Sequence, residues 1–252
     1  RGDLEVRAPL VAGRVERAIV SGLEEYLVAE APAVDAWIAG LADIDERIAV
    51  ADDAARPGLE QVARLRENVA RIRVAHPDDT GVLTVLLMNH LRLERGEAAY
   101  VRAGVLHAYL DGLGIEVMAA SDNVLRGGLT EKHVDVDELL AVLDCTPGDE
   151  PRMAPVPAGE GVVLYAPDEP DFRLHRVAAE RADARIALVG PGIALGLRGE
   201  ATLVGALGEE AVLRRGEALY ITPDTGELRV SGDGLDLVIA SAGAPADVVL
   251  PH

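Results

Sequence analysis

The chain reads as a mainly β protein in which an N-terminal helical region is followed by two jelly-roll β-units. Three features of the text predict that architecture. Apolar residues recur at helical spacing up to about residue 75. From Arg95 onward, short apolar segments alternate with glycine turns, the pattern of antiparallel barrels and jelly rolls. One turn-then-strand phrase occurs twice, as Arg95-Gly96-Glu97-Ala98-Ala99-Tyr100 and as Arg215-Gly216-Glu217-Ala218-Leu219-Tyr220, which points to two related β-units.

The helical region covers residues 1–75. Trp37, Leu41, Ile44 and Ile48 share one helical spacing; Leu59, Val62, Leu65, Val69 and Ile72 share another. Pro57 stands where a first helical turn tolerates it, because the amide hydrogen it lacks has no helical partner there. Glu60, Arg64, Arg66 and Glu67 take the opposite, solvated face. Such patterns describe packing helices, and nothing in the region reads as catalytic. His76-Pro77-Asp78-Asp79 ends it.

A first β-unit is expected over 76–145. Gly81 to Met88 is an apolar run that suits a buried helix or a strand. Residues 90–93 alternate, and Arg95-Gly96 makes a turn. Short strands are then expected as far as Ala120. Gly104 precedes the one that carries His107, and alternation puts His107 and Tyr109 on one face. Glu116 and Met118 repeat the pattern on the next. Residues 121–130 form an irregular loop. Asp135 to Leu143 returns to helical spacing, with Asp135 as the N-cap. Residues 146–157, rich in Pro and Gly, read as a linker. The second β-unit fills 158–252, a further jelly roll built from segments such as GVVLYAP, FRLHRVA and DLVIASA.

Composition excludes several classes. At 252 residues the chain can bury a sizeable core, and with 49% apolar but only 3% aromatic residues, aliphatic side chains must fill it. The net charge of -19 argues against nucleic acid, which needs a basic stripe. An anionic substrate would need a local positive pocket against that field. Lys132 is the only lysine. Cys145 stands alone, so no disulfide framework exists, which fits a reducing, cytoplasmic setting. No apolar run reaches membrane-spanning length, so no membrane partner is expected. RGDLEVRAPL lacks the marks of a signal peptide and has no initiator Met, and the chain is expected to begin partway through a longer protein.

Five of the six histidines, His76, His90, His133, His175 and His252, read as surface or satisfied core residues. His107 has better company. A strand histidine flanked by Tyr109 and Glu116 suits a metal site, and catalytic zinc takes N and O ligands while keeping one position open. Arg126 follows a Ser-Asp-Asn turn. It could simply pair with Asp122, or its fixed, always charged donor fork could steady an enediolate or a phosphate. Gly190-Pro191-Gly192 is no dinucleotide loop, since the third glycine is misplaced and no βαβ unit surrounds it.

The stretches GEAAYVRAGVLHAYLDG and IEVMAASDNVLRGGLTEK carry a specific likeness. They resemble the type I mannose-6-phosphate isomerase family, also called phosphomannose isomerase, in its Gly-Glu-Ala, His-Ala-Tyr-Leu, Glu-x-Met and Ser-Asp-Asn-Val-x-Arg-x-Gly-Leu-Thr blocks. Leu106 departs from it, because that family usually has proline before the histidine. The resemblance implies a cupin fold and a reversible conversion of mannose 6-phosphate to fructose 6-phosphate, feeding GDP-mannose metabolism. It also implies one zinc ion (Zn2+) with His107 among four protein ligands. Arg126, Glu116 and Asp122 would be catalytic; Tyr109, Asn123 and Lys132 would bind the sugar phosphate.

The resembled family takes two further ligands from a Gln-x-His pair and one from a glutamate, in strands before its helical region. No Gln-x-His occurs here; Gln61 is followed by Val62 and Ala63. The likeness therefore implies a C-terminal portion whose first cupin unit is incomplete, inactive alone, with the N-terminal half as a possible partner. The second unit has ITPDTGELRV where the histidine strand would fall, so no metal is expected there. Two other classes stay open: a non-catalytic sugar-binding or regulatory cupin, and a different metal-dependent cupin such as an oxygenase.

Overall fold

The structure is a computed structural model, and it describes residues 24–77, 79, 81–121, 124–146, 148, 150–223 and 226–243. The described residues within Arg1–Arg92, Val101–Gly112 and Asn123–Pro151 form a first unit; those within Leu93–Tyr100, Leu113–Asp122 and Arg152–His252 form a second.

Helical spacing of apolar residues builds most of the first unit. Helix α1 spans Glu24–Gly40, α2 Ile44–Val50 and α3 Arg56–Ala75. The expected single run from Trp37 to Ile48 is two helices, because Leu41–Asp43 form a turn directly after Gly40. Pro57 lies in the first turn of α3, as its missing amide hydrogen predicts. That helix buries Val69 and Ile72 and half-buries Leu59, Val62 and Leu65, while Arg64 and Glu67 face water. Val34 of α1 joins Val69, Ile72, Val82 and Val85 in one apolar cluster, with Trp37, Ile38, Leu65 and Leu129 packed on it. Each large aliphatic side chain so buried stabilises the unit by about 1.5–3 kcal/mol.

The Gly81–Met88 run begins as a short helix, α4, over Gly81–Val85. His90 is locked beside it: Asn68 Nδ2 donates to His90 Nδ1 at 2.9 Å, and His90 Nε2 donates to Val85 O at 2.9 Å. Helix α5, Val136–Val142, is capped as the sequence predicts, with the Asp135 carboxylate accepting from Glu138 N–H at 3.1 Å.

The strands expected to carry His107 and Glu116 do not form. The first β-element, β1, is only Ala98–Ala99, and residues 101–121 hold no strand. Alternation predicts a face, but a strand also needs a neighbour to take its backbone groups. Here those groups close turns instead. Gly104 adopts φ +80, and Val105 N–H donates to Arg102 O at 3.2 Å. Gly104 O in turn accepts from Asp144 N–H at 2.9 Å.

Every strand ladder of the second unit is antiparallel, with one isolated parallel bridge, Gly196↔Arg215. Strand β2, Arg152–Met153, pairs with β1. Strands β3 (Val156–Gly159), β4 (Val162–Tyr165), β5 (Arg173–Ala187), β6 (Gly192–Arg198), β7 (Glu200–Val204), β8 (Glu210–Arg214), β9 (Ala218–Ile221) and β10 (Glu227–Ser241) make one sheet. Its order is β3-β4-β5-β10-β6-β9, with β7 joining β10 to β8. The short segments expected after residue 158 do become strands, but 172–178 and 185–190 share the single strand β5, 227–232 and 235–241 share β10, and β2 and β3 start inside the stretch expected as a linker. Strands β5 and β10, of 15 residues each, pair from Glu227↔Ala187 to Ser241↔Arg173.

Both long strands change which side chains they bury partway along. In β5 the buried positions are His175 and Val177, then Ala182, Ala184 and Ile186; β10 buries Leu228 and Val230, then every residue from Leu235 to Ile239, of which Leu235, Leu237 and Ile239 join the main apolar core. The change on β10 falls at Gly232 and Gly234, where φ is +150 and +60, and there β10 passes from β7 to β6 as its neighbour. A Cβ on Gly232 would lie 2.5 Å from Glu200 O, so only glycine fits.

On the other face of this pair, Asp236 is 2% exposed and accepts two bonds from Arg176, Nε to Oδ1 at 2.9 Å and Nη2 to Oδ2 at 3.0 Å. Arg95 completes the cage with a close bond to Oδ2. Burial alone would raise this carboxyl, but the bonds from Arg176 and Arg95 outweigh it and hold it below the ordinary range. Tyr165 also donates to Gly96 O at 2.6 Å, so the Arg95-Gly96 turn is fastened to the sheet twice. The repeated phrase builds the same turn each time. Glu94 N–H donates to Glu97 Oε2 at 2.7 Å and Arg214 N–H to Glu217 Oε2 at 2.9 Å, with Gly96 and Gly216 at φ +93 and +81.

His175 is not the satisfied core residue the sequence led us to expect. It is buried opposite Leu164 and Ile239, and its Nδ1 has no partner among the described residues. Burial, helped by the charge of Arg173, pushes its imidazole below the usual range. The unfolded chain binds a proton at this ring near pH 6.5, the folded chain only at lower pH. Stability from this group is therefore complete above about pH 6.5 and falls as pH drops toward the folded value. Thermal unfolding should show Tm falling from about pH 7 to pH 5, and His175→Leu should flatten that slope; an unchanged slope in the variant would exclude the assignment. Gly232→Ala should lower stability by about 2 kcal/mol or more, read as a fall in the denaturant midpoint.

Candidate functional site

The candidate site in the first unit is a loop held against two neighbours. Residues 124–134 carry no regular structure, and their glycines explain why: Gly128 sits at φ +112, and Leu129 follows at φ +54. A leucine in the left-handed region is uncommon, because its Cβ crowds the following carbonyl. Two contacts hold it there. The Leu129 side chain packs on the α1–α3–α4 cluster, and Leu129 N–H donates to Asp79 Oδ2 at 2.7 Å. Asp79 Oδ1 meanwhile accepts from Gly81 N–H at 2.7 Å, at the start of α4.

The other neighbour is the segment that carries His107. A Cβ on Gly127 would come within 2.5 Å of Leu106 Cδ1, so Leu106 occupies the space beside Gly127. The residue before His107 and the residue after Arg126 are thus in contact. Arg126 is half-buried, and among the described residues no hydrogen bond or ion pair engages its guanidinium. His107 is exposed and stands edge-on to Tyr109, with ring centroids 5.8 Å apart and planes at 72°. His107 Nδ1 donates to Val105 O at 3.2 Å, since a carbonyl can only accept. That tautomer leaves Nε2 with its lone pair available.

Tyr109 is 76% exposed, and Glu116 and Lys132 are exposed as well. Lys132 N–H donates to Thr130 Oγ1 at 3.1 Å, which ties the lysine to the end of the Arg126 loop. Glu116 falls in the second unit. Asp122 and Asn123 lie outside the described residues. Among the described residues no three His, Cys, Asp or Glu come together in a way that could hold a metal ion. His107 by itself does not fit a zinc site, which needs three or four protein ligands.

Sequence reasoning read Asp79 only as part of a helix break and Leu106 only as a departure from a motif. Both shape the loop. The signal for Asp79 was present as Asp-x-Gly, an acidic side chain two residues before a glycine at a helix start.

Among the described residues no helix is long and apolar enough to cross a membrane. No family model matches the chain. Mannose-6-phosphate isomerase of Salmonella typhimurium is 37% identical over 162 residues, covering 63% of this chain and 41% of that protein. The Escherichia coli protein of the same name is 33% identical over 171 residues, covering 67% of this chain and 43% of its own. The solved structure of the apo form of mannose 6-phosphate isomerase from Salmonella typhimurium superimposes with a TM-score of 0.68 at 26% identity, over 96% of this chain and 56% of that one. By sequence and by fold, therefore, the chain is homologous to the mannose-6-phosphate isomerases, and it spans about two fifths of the length of these curated relatives.

Proposed function

We propose that the chain contributes part of the site of an aldose–ketose isomerase that interconverts mannose 6-phosphate and fructose 6-phosphate. The observation that carries the reading is the half-buried Arg126 guanidinium. It is unengaged among the described residues, and the next residue, Gly127, lies against the Leu106 side chain of the His107 segment. In a chain of net charge -19, an arginine with no carboxylate partner among the described residues keeps its positive charge for a ligand.

The chemistry sets three demands. A base must take the proton from C2 of the aldose and return it to C1 of the enediolate. The oxyanion formed between those steps must meet a fixed donor. The phosphate must be anchored so that both carbons stay in register with the base. In this reading Arg126 supplies the donor fork for the oxyanion. Glu116 or Asp122 carries the proton. Lys132, on the end of the same loop, meets the phosphate, and Tyr109 and Asn123 line the sugar.

Zinc dependence belongs to the same reading. The available Nε2 of His107 could enter a metal's coordination, but the described residues do not complete a zinc site. The remaining ligands would come from elsewhere in the polypeptide or from a partner N-terminal half. The activity would act in the cytoplasm and feed mannose 6-phosphate into GDP-mannose metabolism.

The test is Arg126→Ala in the polypeptide made with any coding sequence that precedes Arg1, assayed for turnover of mannose 6-phosphate. Removing one oxyanion donor should lower kcat by roughly 10²–10³-fold. A change smaller than about tenfold, near 1.4 kcal/mol in the barrier, would reject the role.

A further inference from the structure

We propose that Asp79 is a positioning residue for Arg126: its carboxylate holds the backbone of the Arg126 loop in a conformation that the loop would not keep unaided. The inference rests on the catalytic reading of Arg126 and adds to it a residue that touches neither substrate nor metal.

The geometry supports two fixed attachments and one strained link. The two carboxylate oxygens of Asp79 are used separately. Oδ1 accepts from Gly81 N–H and Oδ2 from Leu129 N–H, each at 2.7 Å. An aspartate that merely capped α4 would need only the first bond. The second reaches 50 residues along the chain to an amide three residues after Arg126. Ionised acceptors make such bonds roughly twice as strong as neutral ones.

The amide so held belongs to Leu129 at φ +54, a conformation that costs a non-glycine residue about 1–3 kcal/mol. The segment before it fits only without side chains. A Cβ on Gly128 would meet Asp79 Oδ1 at 3.3 Å and Gly81 Cα at 3.5 Å; one on Gly81 would meet Asp79 Oδ1 at 2.9 Å and Leu129 Cγ at 3.1 Å. Backbone therefore lies against backbone around the carboxylate. If the bond to Leu129 were lost, that residue could relax to negative φ. A rotation there redirects the backbone leading back through Gly128 and Gly127 to Arg126. On the far side Leu106 fills the space at Gly127, so the loop is bounded by the helices on one side and the His107 segment on the other.

The test compares Asp79→Asn, Arg126→Ala and the double variant, again with any coding sequence that precedes Arg1. Asparagine keeps the shape but offers one acceptor oxygen, so one of the two N–H bonds is lost. With Tm measured alongside, Asp79→Asn should lower kcat by roughly tenfold with little change in KM. In the Arg126→Ala background it should cost less than about twofold, because the group it positions is gone. Gly128→Ala, which keeps the carboxylate but forces a Cβ into φ +112, should lower kcat in the same way.

Wild-type kcat in either loop variant while Arg126→Ala is impaired overturns the inference and leaves the reading of Arg126 standing. So do multiplicative losses in the double variant, which would mark Asp79 as acting independently. Loss of folding in both loop variants assigns Asp79 to stability alone and likewise overturns it. A silent Arg126→Ala instead rejects the reading on which the inference rests.

Discussion

The pairing of β5 with β10 is the constraint on which the second unit depends. Fourteen residue pairs run antiparallel in one register, and only Gly234 and Glu180 drop out of the ladder. Every other strand of the main sheet joins through them: β4 and β3 on the β5 side, β6, β7 and their neighbours on the β10 side. The two strands must bury different faces at their two ends, because β10 has β7 beside it first and β6 later. Gly232 and Gly234 permit that change of face, and at Gly232 Glu200 O leaves no room for a side chain. The core of Val177, Leu235, Leu237 and Ile239 at one end and Ala184, Leu228 and Val230 at the other follows from it.

A second consequence of the same pairing is the buried carboxylate of Asp236. It stands on the face away from Leu235 and Leu237, where a charge is tolerable only if paired. Arg176 reaches it from β5, across the ladder, and Arg95 reaches it from the Arg95-Gly96 turn. The duplicated Arg-Gly-Glu-Ala phrase thus encodes one local object, a turn closed by its own glutamate, with two settings. The first copy docks by an ion pair and by Tyr165 on Gly96. The second docks by backbone, with Gly216 N–H donating to Gly196 O at 2.8 Å and Gly196 N–H to Glu217 O at 3.1 Å.

In the first unit the helices do for the candidate site what the ladder does for the sheet. Their cluster grips Leu129, and the start of α4 brings Asp79 to its amide. A loop with adjacent glycines would otherwise have wide conformational freedom. Its confinement between Asp79 and Leu106 gives the half-buried Arg126 a defined setting without any regular secondary structure of its own. Leu106 occupies the position where the resembled family usually has proline. Here it does a packing job that the motif comparison could not reveal.

The sequence by itself determined the periodic elements and the local turns. The stripe from Leu59 to Ile72, Pro57 at a helix start, Asp135 as a cap, the strands after residue 158 and the twin glutamate-closed turns all follow from interactions within a few residues, which the text carries directly. It also carried the likeness to mannose-6-phosphate isomerases in contiguous blocks. Tertiary structure decided what those blocks become. His107 and Glu116 alternate like strand residues but lie in irregular backbone, because a ladder needs a neighbouring chain segment and Gly104 turns the path instead. His175 Nδ1 is buried without a partner among the described residues, and Asp79 binds an amide 50 positions away. Such roles depend on which distant atoms arrive beside a residue, and spacing along the chain contains no record of that.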